Sequence, residues 1–172
     1  ETWYIGIYGA SYDTPCSYAM STRVTSECGR CEHGECLEFG YCYCEEGWAG
    51  DACDKEVKVL TAQTSITSSV ASREWKYYSF TSSASTITFS LKETRTDGYI
   101  WIFEALDISP TLRYYDDQDV DTDQGFHTIT VDASWWADGT YEYTYYLGVY
   151  GSPYASRDIE YELVVWDTPF KK

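Results

Sequence analysis

The chain has 172 residues and a mass of 19.7 kDa, with 44% hydrophobic and 18% aromatic residues, enough for one ordinary domain and a small companion. Its 28 acidic side chains against 12 basic ones leave a formal net charge of −16, which argues against a phosphate backbone or an anionic membrane surface as partner. Only 2 His are present, so the commonest general acid–base residue is scarce, and no apolar run is long enough to span a bilayer.

The first predicted element lies in residues 1–24. Trp3-Tyr4-Ile5-Gly6-Ile7-Tyr8-Gly9 matches Tyr145-Tyr146-Leu147-Gly148-Val149-Tyr150-Gly151 at an offset of 142 residues, and Ser17-Tyr18-Ala19-Met20 matches Glu160-Tyr161-Glu162-Leu163 one residue further on. Residues 1–24 therefore read as an N-terminal β-hairpin, the last two strands of a preceding sandwich of the same type as the one later in the chain. Two strands alone bury too little surface to be stable, so Trp3, Tyr4, Ile5, Ile7, Tyr8, Tyr18 and Met20 are candidate assembly residues. Three arrangements satisfy them: a longer tandem array, donation of the strands to a neighbouring copy, or addition to this chain's own sheet. The first two give a head-to-tail, open-ended assembly, which is a filament. Cys16 lies in the same segment, opposite a position near Asp158 in the complete copy. It is either a buried free thiol or a bridge to another segment or copy. With neither an initiator Met nor a basic-then-apolar leader, the chain is expected to be a mature piece of a longer secreted precursor.

The next element is a block of six cysteines, Cys28, Cys31, Cys36, Cys42, Cys44 and Cys53. So short and cysteine-dense a segment lacks a hydrophobic core and needs covalent staples. Zinc is the competing reading, but the spacing is not two CxxC pairs and six ligands exceed one tetrahedral site. Disulfides place the protein in an oxidising compartment, most simply outside the cell, while the spacing alone leaves their pairing open. Gly34 and Gly40 each stand two residues before a Cys, and the block ends Cys42-Tyr43-Cys44-Glu45-Glu46-Gly47-Trp48-Ala49-Gly50-Asp51-Ala52-Cys53. With these features in register, the block resembles an EGF-like module. The resemblance implies the pairs Cys28–Cys36, Cys31–Cys42 and Cys44–Cys53. Calcium-binding members carry an Asp/Asn-rich run before the first Cys. Here only Glu27 is available, and Glu35 stands where O-fucosylated members have Ser or Thr. What remains is a rigid spacer or adhesive module, with His33 as an exposed loop residue.

Residues 57–167 form a Cys-free stretch of β-prone sequence, rich in Tyr, Trp, Ile, Val and Thr. Predicted strands are 57–64, 73–81, 85–92, 98–104, 112–115, 126–131, 141–150 and 159–166. Ile87, Phe89 and Leu91 share one face of their strand, as do Tyr161, Leu163 and Val165. Turn signals separate the runs, among them Asp97-Gly98, Gln124-Gly125 and Asp138-Gly139. Regularly spaced short strands of this kind make an antiparallel sandwich. Trp75-Lys76-Tyr77-Tyr78-Ser79-Phe80, Asp97-Gly98-Tyr99-Ile100-Trp101-Ile102 and the run Tyr145 to Gly151 make this part similar to the pre-peptidase C-terminal domains of secreted proteins. That resemblance implies an accessory role beside other modules and brings no catalytic residues. The expected fold class is all-β: an antiparallel β-sandwich plus a small disulfide-rich EGF-like module. The expected organisation is 1–24 from a preceding or partner sandwich, 25–54 EGF-like, 55–60 linker or first strand, 57–167 sandwich and 168–172 tail.

Other residues suggest chemistry. The acidic run that includes Asp117, Asp119, Asp121 and Asp123 offers oxygens to calcium, though it lacks the sixth-position Gly and closing Glu of an EF-hand, and a solvated acidic loop is the simpler reading. No Asn occurs anywhere, an unexpected absence in so turn-rich a chain. Asp and Asn are isosteric, and some positions written Asp are expected to be Asn in the gene. On that condition Asp132 and Asp138 head glycosylation acceptors, and Asp107 heads a poorer one because Pro110 follows its Ser109. The hydroxyl-rich stretch 61–72 suits O-glycans. Trp135-Trp136 sits in an expected loop, where stacking on a sugar ring competes with ordinary packing. His127 has no nucleophile motif beside it, and no enzyme is expected.

These features describe a non-enzymatic, extracellular structural protein, the repeat unit or subunit of a head-to-tail filament, without a required cofactor. Its partners would be copies of itself or neighbouring repeats, and glycans. EGF-containing filament proteins of the flagellar-hair (mastigoneme) kind have a similar architecture. The alternative is a carbohydrate- or surface-binding accessory region of a larger secreted enzyme or adhesin.

Overall fold

A computed structural model describes residues 30–37, 42–94, 99–112, 114–121, 125–137 and 139–169. The assembly residues of 1–24, with Cys16, and also Cys28, Asp123, Asp138 and most of the tail 168–172, lie outside these residues. The described residues are all-β. The strands in chain order are β1 (Gly34–Cys36), β2 (Cys42–Cys44), β3 (Trp48–Ala49), β4 (Lys55–Val59), β5 (Ile66–Val70), β6 (Trp75–Ser82), β7 (Thr86–Glu93), β8 (Ile100–Leu106), β9 (Asp117–Asp119), β10 (Phe126–Asp132), β11 (Tyr143–Gly151) and β12 (Ile159–Thr168).

Two sheets form the sandwich, one in the order β10-β7-β12-β5 and the other β3-β4-β6-β11-β8-β9. In the four-stranded sheet the alternation seen in the sequence becomes an inner face. Leu91 lies beside Leu163 and Phe89 beside Val165 in register, and all four are fully buried. The six-stranded sheet answers with Tyr78, Phe80, Ile100, Ile102, Tyr145, Leu147 and Val149, which complete one core. The core is not wholly apolar: the hydroxyls of Tyr78 and Tyr161 meet across it at 2.6 Å and so satisfy each other between the sheets.

Six of the predicted strands appear within two residues of their expected ends. Two expectations are corrected. The stretch 57–64 is not one strand. Residues 55–59 form β4, parallel to β6, and the chain then turns before β5. The hydroxyl-rich 61–72 contains that edge strand: Ile66 and Val70 turn inward while an outer edge of Ser and Thr tolerates solvent, which hid the strand in the sequence. Of the stretch 112–115, the described residues 112, 114 and 115 are not in a strand, and the sheet edge is the acidic β9, paired to β8. Its carboxylates are tolerated because an edge strand needs only one satisfied side.

The outer face of β6, β8 and β11 is also covered. Trp75 lies within ring-contact distance of Tyr77, Phe103 and Tyr150, with centroids 4.9–5.4 Å apart. Its indole packs over Gly148, where a Cβ would come within 2.7 Å of the ring and 3.0 Å of Pro110. Gly151 is tighter still, since a Cβ there would meet the Ala71 carbonyl oxygen. β3 pairs with β4, so the cysteine-rich segment continues the same sheet, and Ala49, Val57 and Tyr77 bury one another at the junction. Gly148→Ala is expected to cost about 1–3 kcal/mol, because an indole ring can shift. Gly151→Ala is expected to cost more, because a carbonyl cannot; chemical denaturation of the two variants ranks them.

Candidate functional site

The cysteine-rich segment is built on the hairpin β1–β2, with Gly34 opposite Cys44 and Cys36 opposite Cys42. Cys31–Cys42 and Cys44–Cys53 are bridged, two of the three pairs the sequence resemblance implied, and Cys36 is also disulfide-bonded. Such bridges belong to an oxidising compartment. His33 is not the exposed loop residue expected. Its ring stacks on Trp48 at 3.5 Å and 12°, because the bridges bring the two loops together. Between this segment and the sandwich lies a shallow cleft of about 210 Å³, with Trp75 and Tyr77 as floor and Asp51, Asp54 and Lys55 on the rim. Lys55 is tied to Asp54 at 2.8 Å. Burial, then Asp51 and Asp54, push the Tyr77 hydroxyl up and keep it protonated.

A second surface is the turn after β10. Ala133 and Ala137 are buried and joined by the Ala137 N–H to Ala133 carbonyl bond at 2.8 Å, which makes a tight, anchored turn. The turn holds Trp135 outward at 84% exposure and Trp136 at 43%, and Tyr141 follows at 68%. The Trp135 Nε1–H donates to the Asp132 carbonyl at 3.1 Å and the Tyr143 hydroxyl to the Trp136 carbonyl at 3.3 Å. The ring faces are therefore held in place yet left open to solvent, an unusual placement for the largest apolar side chains.

Of the candidate glycan positions, Asp132 ends β10 and Asp107 lies in the bend after β8, both exposed. Asp132 Oδ1 accepts the Ser134 N–H at 3.0 Å, and hydrogen bonds from Ser134 hold its carboxyl below the usual range. Asp107 is exposed with φ of 60°, a left-handed conformation that Asn adopts readily among non-glycine residues.

The acidic run does not converge. Asp116 Oδ2 caps the Leu106 N–H, Asp117 Oδ1 accepts the Gln118 N–H, and Asp119 turns inward. Among the described residues no three His, Cys, Asp or Glu side chains group as metal ligands. Asp116, Asp117 and Asp119 each accept a backbone N–H.

What the sequence reading missed is where Asp119 goes. It joins Glu93 and His127 in a buried seam where β10 of one sheet meets β8 and β9 of the other. His127 Nδ1 lies 3.4 Å from Asp119 Oδ1 and Nε2 3.5 Å from Glu93 Oε1, with the ring 1% exposed. Burial works against a charged ring, but Glu93 and Asp119 outweigh it and hold the His127 pKa above its ordinary value. Burial likewise opposes ionisation of Asp119, yet N–H bonds from Thr128 and Asp121 and the ring of His127 hold it below the usual range. Each ring nitrogen faces a carboxylate, an arrangement suited to holding a proton. The only sequence signal was an inward-facing His in the alternating run Phe126–Asp132.

Glu104 lies in the same seam, 2% exposed, with Oε1 unpartnered. Burial, then Asp116 and Asp117, push its pKa up to about 8. Its unfolded value is lower, so the folded state keeps a proton that the unfolded state loses, and stability falls as pH rises from about 4.5 through 8. Glu104→Gln is expected to flatten that decline. Denaturant titrations between pH 5 and 9 check it, and parallel slopes for both proteins would contradict it.

No protein-family model matches the chain, and no curated protein matches its sequence. Solved structures give likenesses. The pre-peptidase C-terminal domain of a collagenase from Bacillus anthracis is 19% identical, covers 64% of this chain and 95% of that one, and has a TM-score of 0.46. PliG of Aeromonas hydrophila, a periplasmic lysozyme inhibitor of g-type lysozyme, is 13% identical over 66% of this chain and 99% of that one, with a TM-score of 0.45. Among the described residues no helix is long and apolar enough to cross a membrane.

Proposed function

We propose that this chain is a non-enzymatic extracellular module, one unit of a tandem array in which EGF-like segments alternate with β-sandwiches. The observation that carries the reading is the reason for two glycines. Gly148 lies under the Trp75 indole and Gly151 against the Ala71 backbone, and the N-terminal motif repeats both as Gly6 and Gly9. In the same register Trp3, Ile5 and Ile7 align with the buried Tyr145, Leu147 and Val149. A motif that keeps both the core face and these glycines is suited to the same packing, with a Trp over Gly6.

The topology refines the expectation of a hairpin. The counterparts of the two N-terminal strands, β11 and β12, are not hydrogen-bonded to each other. They lie in opposite sheets, each flanked on both sides. Two such strands fit neither edge of an existing sheet as a pair, so they need a whole sandwich around them. This favours a preceding unit in an array over strand donation. Disulfide-stapled segments joined in-sheet to each sandwich then set the spacing, and the role is mechanical. Electron microscopy of the native material is expected to show filaments or extended chains with a regular axial repeat. Compact single particles would end the array reading.

A second reading rests on the Trp135–Trp136 turn. An anchored turn that holds two indole faces in solvent suits stacking against the apolar face of a sugar ring, as in an accessory region of a larger secreted protein. The double variant Trp135→Ala/Trp136→Ala is expected to weaken binding to an insoluble neutral polysaccharide at least tenfold while leaving the thermal midpoint in place. Unchanged binding, or none in the wild type, would remove this reading.

A further inference from the structure

His127 sits where three strands from both sheets come together. β7 and β10 belong to the four-stranded sheet and contribute Glu93 and His127. β9 belongs to the six-stranded sheet and contributes Asp119. The backbone fixes both carboxylates independently of the ring: Glu93 Oε1 accepts the Ile100 N–H at 3.0 Å, and Asp119 Oδ2 accepts the Thr128 N–H at 2.9 Å. A neutral imidazole carries one N–H and one lone pair. Between two fixed acceptors it can donate to only one and must set its lone pair against the other. The imidazolium presents an N–H to each: Nδ1 is hydrogen-bonded to Asp119, and Nε2, without a hydrogen bond of its own, is in ion-pair range of Glu93. The geometry therefore distinguishes the two protonation states. The described titratable groups in the seam are Glu93 from β7, Asp119 from β9 and Glu104 from β8, with Asp116, Asp117 and Asp121 at its mouth.

We propose that the Glu93–His127–Asp119 bridge is a proton-operated latch: the doubly protonated ring holds β9 and the acidic segment 116–121 against the four-stranded sheet, and loss of that proton releases them. β9 is a three-residue edge strand held to β8 by one short ladder. Its other described ties are few: Asp116 to Glu104 and Leu106 of β8, and Asp119 Oδ2 to the Thr128 N–H of β10. Its release uncovers the free backbone edge of β8 at Ile102–Glu104, a template for another strand. The latch is independent of the array reading and stands or falls on its own measurement.

Hydrogen exchange of the intact protein between pH 5.5 and 9, corrected for intrinsic rates, tests it. Peptides covering 114–121 are expected to lose at least tenfold in protection as pH rises, while peptides of β7 and β12 keep theirs. His127→Gln is expected to show low protection of 114–121 at every pH. Asp119→Asn, which leaves the ring one carboxylate, is expected to move the step to lower pH and decides the matter if His127→Gln does not fold. Glu104→Gln cannot ionise and is expected to keep the step. The latch is overturned if wild-type protection of 114–121 does not change with pH. It is equally overturned if the step survives in His127→Gln, stays at its wild-type pH in Asp119→Asn, or vanishes in Glu104→Gln.

Discussion

Strands β6, β8 and β11 carry apolar side chains on both faces, and the rest of the structure follows from covering them. Tyr78, Ile102 and Leu147 look inward to the four-stranded sheet, while Trp75, Tyr77, Phe103 and Tyr150 look outward. A sheet of this kind cannot leave its outer side in water at a cost of roughly 25 cal/mol per Å² of apolar surface. The chain covers it with three devices: the β3–β4 extension from the cysteine-rich segment, the Pro110 loop, and the aromatic layer centred on Trp75. Gly148 is the position that lets the Trp75 layer lie flat. The small disulfide segment is therefore part of the sheet's cover, and its in-sheet attachment gives the junction the stiffness of a β-ladder.

Polar groups gather where that cover ends. The two sheets part along β10 and β9, and there Glu93, His127, Asp119 and Glu104 occupy the inner face. A low local dielectric makes each protonation state consequential, because a buried charge must be paired or neutralised. Burial favours the neutral acid of Glu104, while Glu93 and Asp119 raise the proton affinity of His127. In the middle of the core the same demand is met without charge by the Tyr78–Tyr161 hydroxyl pair. The ionisable groups thus lie in the seam, while hydroxyls serve the centre.

Much of the β-sandwich could be read from alternation. Ile87, Phe89 and Leu91, or Tyr161, Leu163 and Val165, have one physical interpretation, since a period of two exposes one face and buries the other. Edge strands resisted the same reading. β5 is hydroxyl-rich and β9 is acidic, because an edge is half solvated and tolerates residues a central strand excludes. Of the functional features, Trp135-Trp136 was visible as a pair but not its exposure, which depends on Ala133 and Ala137 anchoring the turn. The charged cluster was invisible, because Glu93 is distant in sequence and Asp119, eight residues before His127, lies on a strand of the other sheet.

The sequence by itself determined the β class, the cysteine density that calls for disulfides and the acidic net charge. Each of these depends on composition or on local period, which act over a few residues. Tertiary structure alone decided that β11 and β12 belong to opposite sheets and that the cysteine-rich segment extends one of those sheets. It also decided that Asp119 turns toward a buried histidine. Those outcomes depend on strand order and on which face of a strand another element covers, and neither is encoded in any single stretch of chain.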